Sequence, residues 1–230
     1  KAFRREQPGR QHNPEFTLLE WYRPGFDWQQ LMAEVAELVT QALSLAEPDS
    51  IVSYSYAELF AQQLAINPHT ISADELEQLT RETVDVAADE LSATDCLQLL
   101  MHHCIEPRPP DYCFVYDYPE AQAALAVVEH NVQGIPVARR FELYGGGMEL
   151  ANGYQELTDP VEQRRRFERD QVERSRRGLP AVALDERLLA ALEAGLPTCA
   201  GVALGVDRLL MLACGARDIG DVIAFPDARA

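Results

Sequence analysis

Charged and aromatic side chains are concentrated in residues 3–22, in the stretch FRREQPGRQHNPEFTLLEWY. Arginine forks suit phosphate oxygens, an aromatic ring suits the face of a base, and a carboxylate can accept a hydrogen bond from an exocyclic amine. This stretch therefore predicts a site for a nucleoside triphosphate. A surface hairpin held by salt bridges explains the pattern equally well.

A second group of charges lies in residues 139–158, RRFELYGGGMELANGYQELT. Two runs of strand-forming residues flank three glycines, which predicts a hairpin. Glu142, Glu149 and Glu156 are spaced seven apart, and the first two lie across the glycine turn from each other. Carboxylates that meet on one sheet face repel unless a cation lies between them, and Mg²⁺ bound to a triphosphate is such a cation. A solvated row of outward carboxylates is the alternative.

A third motif, CAGVALGVDRLLMLA, covers residues 199–213. It predicts a strand of small residues that runs into Gly205 and is followed by a helix. Glycine lets a ligand approach the backbone closely, and Arg208 follows within one turn. A buried structural arginine is the default interpretation of such a pattern when it stands alone.

Local signals predict the elements that position these motifs. Pro8 and Gly9 mark the turn of a hairpin whose second strand is predicted over residues 15–22. Asp27 and Gln30 have the spacing of a capping box, which predicts a helix that ends near residue 45.

The middle of the chain shows two further capping-box patterns, at Ser55 and Ser72, which predict helices. β-forming residues predict strands over residues 51–54, 113–118 and 138–144. Asp159 followed by Pro160 predicts the start of a helix that runs to about residue 177.

The composition is acidic, with 37 Asp and Glu residues against 20 Lys and Arg, and a net charge of -17. Proteins that grip a long polyanion usually carry a basic face, so tRNA is an unlikely partner. Five cysteines without C-x-x-C spacing indicate reduced thiols and a cytoplasmic location. No apolar stretch approaches the ~20 residues that span a bilayer, so no membrane association is expected.

The three motifs together resemble those of class II aminoacyl-tRNA synthetases. F-R-x-E, H-N-P-E-F and E-W-Y resemble the second signature motif, and G-V-A-L-G-V-D-R resembles the third. E-L-A-N-G-Y-Q-E-L resembles a stretch of the lysyl branch. Within that branch, the sequence of the first motif is similar to that of the paralogues that modify elongation factor P.

The resemblance implies an α+β fold: a class II catalytic core with an antiparallel β-sheet flanked by helices. Residues 1–230 are expected to form one such domain, with a mostly helical insertion at about 46–137. The family's first signature motif has no match here, so the core is expected to be incomplete at its N-terminal side. The full-length protein is expected to be a homodimer.

The resemblance also implies roles for individual residues. The expected catalytic residues are Arg4 and Arg208, and the expected Mg²⁺ ligands are Glu142 and Glu149. ATP is expected to contact Arg4, Glu6, His12, Asn13, Phe16, Glu149, Leu150, Gly205 and Arg208. A lysine-type substrate is expected to contact Glu20, Tyr22, Asn152, Glu156 and Ala203. Ala203 replaces a glycine of lysyl-tRNA synthetases, and its methyl group would favour a β-amino acid.

The implied activity is that of an ATP- and Mg²⁺-dependent ligase. Such an enzyme activates (R)-β-lysine or lysine as an adenylate and transfers it to a lysine side chain of elongation factor P. Two alternatives remain open at this point. One is a catalytic fragment of a lysyl-tRNA synthetase, and the other is an inactive synthetase-like binding or regulatory module.

Overall fold

The computed structural model describes residues 1–5, 7–86, 91–106 and 112–229, and within these ranges the chain forms seven α-helices and nine strands. The helices are α1 (Trp28–Leu43), α2 (Tyr56–Leu64), α3 (Ala73–Thr83), α4 (Ala93–Leu100), α5 (Pro160–Arg176), α6 (Glu186–Gly195) and α7 (Val206–Cys214). The strands are β1 (Ala2–Phe3), β2 (Glu15–Phe16), β3 (Leu18–Pro24), β4 (Val52–Ser55), β5 (Tyr112–Pro119), β6 (Val128–His130), β7 (Pro136–Gly145), β8 (Met148–Gln155) and β9 (Cys199–Gly205). None of the helices in these ranges combines the length and the apolar character needed to cross a bilayer.

A seven-stranded sheet is the centre of the fold. Its strand order is β3-β9-β8-β7-β5-β4, and β6 also pairs with β7. The pairs are antiparallel except for β4 and β5, which run parallel. The sheet and its helices confirm the predicted α+β architecture, with this one parallel pair as an addition.

One face of the sheet is covered by α1 and α7. α1 begins at the predicted capping box, in which Asp27 and Gln30 each bond the other's backbone N–H. Its apolar side places Leu31, Val35 and Val39 against the sheet, each with no exposed surface. Since side chains alternate between the two faces of a strand, the next residues of the same strands point to the opposite face.

The opposite face is divided into two halves. Over β5 and β7 it is covered by α2, α3 and α4, whose buried residues include Tyr56 and Phe60. Capping boxes are present at the predicted Ser55 and Ser72, and a further one at Ser92 begins α4. Over β3, β9 and β8 the same face is open to a cavity.

The segment at 46–137, predicted to be a mostly helical insertion, contains these three helices. It also contributes β4, β5 and β6 to the large sheet. The helical part that packs as an added layer is therefore the stretch from α2 to the π-helical turn Met101–Ile105, which continues α4. Residues 87–90 and 107–111 of this segment lie outside the described ranges.

The predicted strand at 15–22 is interrupted at Thr17. β2 pairs with β1 in a small separate sheet, whereas β3 belongs to the large one. The Thr17 N–H donates to Asp207 Oδ2 at 2.6 Å, and its carbonyl accepts from the Val206 N–H at 3.0 Å. The N-terminal hairpin is thereby fastened to the start of α7, two residues from Arg208.

We expect Leu31→Ala to lower the free energy of unfolding by about 2–5 kcal/mol, because it leaves a cavity between α1 and the sheet. Urea unfolding followed by circular dichroism measures the change. Gln29→Ala, at an exposed position of the same helix, is the control and should change stability by less than about 0.5 kcal/mol. A similar loss in both variants would contradict this account of the core.

Candidate active site

The cavity on the open half of the sheet has a volume of about 320 Å³. It is lined by side chains from the N-terminal hairpin, from β3 and β8, and from β9 with the start of α7. The predicted site residues that line it are Arg4, His12, Asn13, Phe16, Glu20, Tyr22, Glu149, Leu150, Asn152, Glu156, Ala203, Gly205 and Arg208. Glu6 lies outside the described residues, and Glu142 lies behind the cavity wall rather than in it.

The register of the sheet explains why these residues meet. Two rows of paired residues cross the strands on the cavity side. The first row is Glu20–Ala203–Asn152–Glu142, and the second is Tyr22–Gly201–Tyr154–Arg140. Ala203 therefore lies between Glu20 and Asn152 in the first row.

Arg208 joins the three motifs at one end of the cavity. Its guanidinium donates to the Glu149 carbonyl at 2.7 Å and to the Gln11 carbonyl at 3.4 Å. It also lies 2.9 Å from Nε2 of His12. Because a guanidinium can only donate, His12 Nε2 must accept, which leaves this ring nitrogen unprotonated. Arg4 lies over the Phe16 ring, with its Cζ 5.3 Å from the ring centroid.

The Asn13 side chain shapes the loop at this end of the cavity. It is buried, its amide donates to the Glu15 carbonyl at 2.6 Å, and its oxygen accepts from the Asp227 N–H at 2.9 Å. The neighbouring carbonyl of Arg10 accepts from the Ile219 N–H at 2.8 Å. Asn13 thus holds the hairpin loop against the C-terminal segment, a function that its predicted contact with ATP did not include.

Glu142 is buried and accepts four side-chain hydrogen bonds. Tyr118 and Tyr144 donate to Oε2, while Arg140 and Asn152 donate to Oε1, the last at 2.9 Å. A β-bulge at residues 143–144 places Asn152 directly opposite Glu142 and moves Glu149 opposite Tyr144. The two carboxylates are therefore diagonal neighbours, and the Asn152 amide, 3.4 Å from Glu149, bridges them.

Burial, and after it the charge of Glu142, raise the pKa of the Glu149 carboxyl to about 7. A cation in the cavity would relieve both effects. No cluster of three or more histidine, cysteine or acidic side chains suited to a metal occurs among the described residues. Glu149 still fits Mg²⁺, which is commonly held by one or two carboxylates together with substrate phosphates and water. Glu142 does not fit as a direct ligand in this arrangement, because its four donors occupy both oxygens.

A slot at the other end of the cavity is formed by Tyr22, Gly201 and Glu156. Glu156 is 9% exposed, and burial raises the pKa of its carboxyl to about 7. Within the described ranges no cation or hydrogen-bond donor contacts this carboxylate. A Cβ on Gly201 would overlap the Glu156 carboxylate and lie 2.7 Å from the Tyr22 ring, so glycine keeps the slot open. The slot is suited to an ammonium group, which supplies charge and donors together.

Arg140 and Tyr154 are among the residues of the cavity wall that the sequence-based set does not include. Arg140 donates to Asn152 Oδ1 at 3.2 Å, and its Cζ lies 4.7 Å from the centroid of the Tyr118 ring. Burial, with the charge of Glu156, raises the pKa of Tyr154 to about 12. The alternation of side chains along a strand predicts both residues. Arg140 precedes Glu142 by two residues, and Tyr154 lies midway between Asn152 and Glu156, so each lies on the same face as these predicted residues.

Comparisons with known proteins identify the family of the chain. Residues 1–229 match the family model of class II tRNA synthetases (D, K and N). The chain is 48% identical to an elongation factor P–(R)-β-lysine ligase of Proteus mirabilis, over 100% of this chain and 70% of that protein. It is 49% identical to the ligase of the same name from Pseudoalteromonas translucida, over 100% and 71% of the two chains. The Klebsiella pneumoniae protein of that name is 46% identical, over 100% and 70%.

The buried charge of Glu156 predicts a pH-dependent effect on stability. Its pKa is higher in the folded protein than in the unfolded chain, so the folded state loses stability as pH rises from about 4.5 to about 7. We expect Glu156→Gln to remove this loss and to raise the free energy of unfolding at pH 8 by about 1–2 kcal/mol, since water in the cavity screens part of the full effect.

Urea unfolding at pH 5 and at pH 8 measures this difference. Glu37→Gln, which removes a carboxylate from the exposed side of α1, is the control and should show little change at either pH. A Glu156→Gln variant with the same gain at both pH values, or with none, would show that this carboxylate is not destabilised by burial.

Proposed function

This chain belongs to the family of class II tRNA synthetases described by its D, K and N members, and on that basis we propose that its cavity is the active site of an ATP-dependent ligase. The ligase activates (R)-β-lysine, or lysine, as an adenylate and transfers it to a lysine side chain of elongation factor P. The observation that carries the proposal is the slot at Glu156. The Glu156 carboxylate is buried, and no cation among the described residues contacts it. It lies in the same cavity as Arg4 and Arg208.

The nucleotide occupies the end of the cavity at Arg4 and Arg208. Phe16 offers a face for the adenine ring, and Arg208 covers the other side of the base, with Leu150 and Gly205 beside it. His12 contacts the distal phosphates, and Glu6, whose predicted role is to position the nucleotide, lies outside the described residues. Arg4 lines the cavity from a hairpin that is fastened at Thr17, and its guanidinium, which lies over the Phe16 ring, would turn toward the α-phosphate when the nucleotide binds.

Glu149 would hold Mg²⁺ through its cavity-facing carboxylate, and Asn152 would keep that carboxylate in place. When bound, the metal supplies positive charge that offsets the charge of the triphosphate. Glu142 lies behind the cavity wall and supports this site indirectly. It accepts a hydrogen bond from the Asn152 amide, which also contacts Glu149.

The amino acid lies along the two rows of paired residues. Its terminal ammonium enters the slot and pairs with Glu156, while Tyr22 closes the slot from the outside. Its reacting end lies near Asn152 and Glu20, on either side of Ala203. The methyl group of Ala203 takes space next to the α-carbon, which favours a β-amino acid over an α-amino acid.

The reaction has two steps. In the first, a carboxylate oxygen of the amino acid attacks the α-phosphorus, the bond to the bridging oxygen breaks, and diphosphate leaves. Arg4 stabilises the charge that develops on the α-phosphate oxygens. In the second, the amine of the acceptor lysine attacks the acyl carbon, AMP leaves, and the nitrogen loses a proton as the amide forms.

Elongation factor P is proposed as the acceptor because relatives that are 46–49% identical carry that acceptor in their names. The net charge of -17 also favours a protein acceptor over tRNA. The family includes enzymes that charge tRNA, so the acceptor has to be tested directly.

ATP–diphosphate exchange with the full-length protein tests the first step. We expect exchange with (R)-β-lysine to exceed exchange with L-lysine, because Ala203 crowds an α-amino group. Transfer of the labelled amino acid to elongation factor P, with tRNA as the competing acceptor, tests the second. No exchange with either amino acid would support an inactive module, and transfer to tRNA would support a lysyl-tRNA synthetase.

Gly201→Ala tests the slot separately from the nucleotide site. The added methyl overlaps the Glu156 carboxylate and the Tyr22 ring. We therefore expect the KM for the amino acid to rise roughly 10- to 100-fold, while the KM for ATP stays within about twofold. Equal increases in both KM values would mean that the variant distorts the whole cavity, and unchanged values would place the ammonium elsewhere.

A further inference from the structure

A turn at residues 122–126 forms a part of the cavity wall that has no role in the proposed reaction. Two arginines with little exposed surface hold it by its carbonyl groups. Arg140 donates to the Gln122 carbonyl at 2.8 Å, and Arg166 donates to the carbonyls of Ala124 and Ala126 at 3.1 and 2.7 Å. Arg166 comes from α5, so the turn is held between this helix and β7.

The same turn is fastened to the strand segment that carries Glu156. Ala126 forms an antiparallel bridge with Glu156, and the Leu157 N–H donates to the Leu125 carbonyl at 2.9 Å. Ala124 is two residues from this bridge and lines the cavity. Its position relative to the Glu156 carboxylate is therefore fixed by backbone hydrogen bonds and not by loop conformation alone.

Ala124 has a left-handed backbone conformation, with φ of 50°. Ser44, Ala65, Asp117 and Ala124 are the described residues other than glycine that have positive φ, and of these Ala124 is the one that lines the cavity. A side chain in this conformation costs about 1–2 kcal/mol, which glycine would avoid. The methyl group, which is exposed to the cavity, is thus kept at a position where glycine would be more stable.

We propose that the methyl group of Ala124 is a wall of the ammonium slot and sets the length of the cationic side chain that the enzyme accepts. This inference rests on the proposed function. A substrate held at Glu156 by its ammonium must place its carboxyl group at the α-phosphate. A wall that is rigidly attached to the Glu156 strand therefore selects for the number of methylene groups between the two ends.

Three α-amino acids that differ only in length, L-ornithine, L-lysine and L-homolysine, are suitable probes in the ATP–diphosphate exchange assay. Ala124→Val narrows the slot, and we expect the kcat/KM ratio of ornithine to lysine to rise about tenfold. Ala124→Gly widens it, and the ratio of homolysine to lysine should rise by a similar factor. Ala121→Val is the matched control, since Ala121 is exposed, precedes the same turn and does not line the cavity. Its two ratios should stay within about twofold of wild type.

A folded Ala124→Val protein with wild-type ratios overturns the inference, and so does an equal shift in the Ala121→Val control. If thermal unfolding shows that Ala124→Val does not fold, Ala124→Gly is the test. A wild-type ratio of homolysine to lysine in that variant then overturns the inference. Failure of the proposed function gives a different result: the wild-type protein would then show no exchange with any of these amino acids or with (R)-β-lysine.

Discussion

The pairing of β9 with β3 on one side and β8 on the other is the constraint on which the site depends. In this register, Gly201, Ala203 and Gly205 face the cavity while Ala200, Val202 and Leu204 are buried in the core. A shift of one residue would exchange the two sets and place Leu204 in the proposed nucleotide site. The core under α1 therefore fixes the position of each polar group on the other face, because the apolar residues tolerate only one register.

The cavity contains buried carboxylates whose negative charge is not neutralised in the absence of a ligand. Glu149 and Glu156 are destabilised by burial, and the positive charges nearby are held by other partners: Arg140 by Glu142, and Arg208 by backbone carbonyls. A ligand that carries an ammonium group and a metal-bound triphosphate would complement both carboxylates. The buried carboxylates thus lower the stability of the folded chain, as is common for functional sites, and binding of such a ligand would offset this cost.

Sequence patterns predict the parts of this structure that depend on neighbours in the chain. The capping boxes at Asp27, Ser55 and Ser72 and the glycine turn of the β7–β8 hairpin are of this kind. The members of the cavity are predictable because three motifs occur together. Patterns do not show the interruption at Thr17, which depends on Asp207, or the bulge that places Asn152 opposite Glu142. The interruption and the bulge depend on contacts between segments that are distant in the chain. The partners of Arg140 likewise come from distant segments.

The hydrogen bond between Asn13 and Asp227 joins residues that are 214 positions apart. Ribosomes make the N-terminal residues first, so the hairpin loop leaves the exit tunnel long before its partner exists. A nascent chain can form α1 and its capping box early, but the hairpin loop that carries Asn13 lacks this support until residue 227 has emerged. This end of the cavity is then among the last regions to gain all of its contacts during translation, and a ribosome that stalls before residue 227 leaves a chain whose loop lacks the hydrogen bond to Asn13.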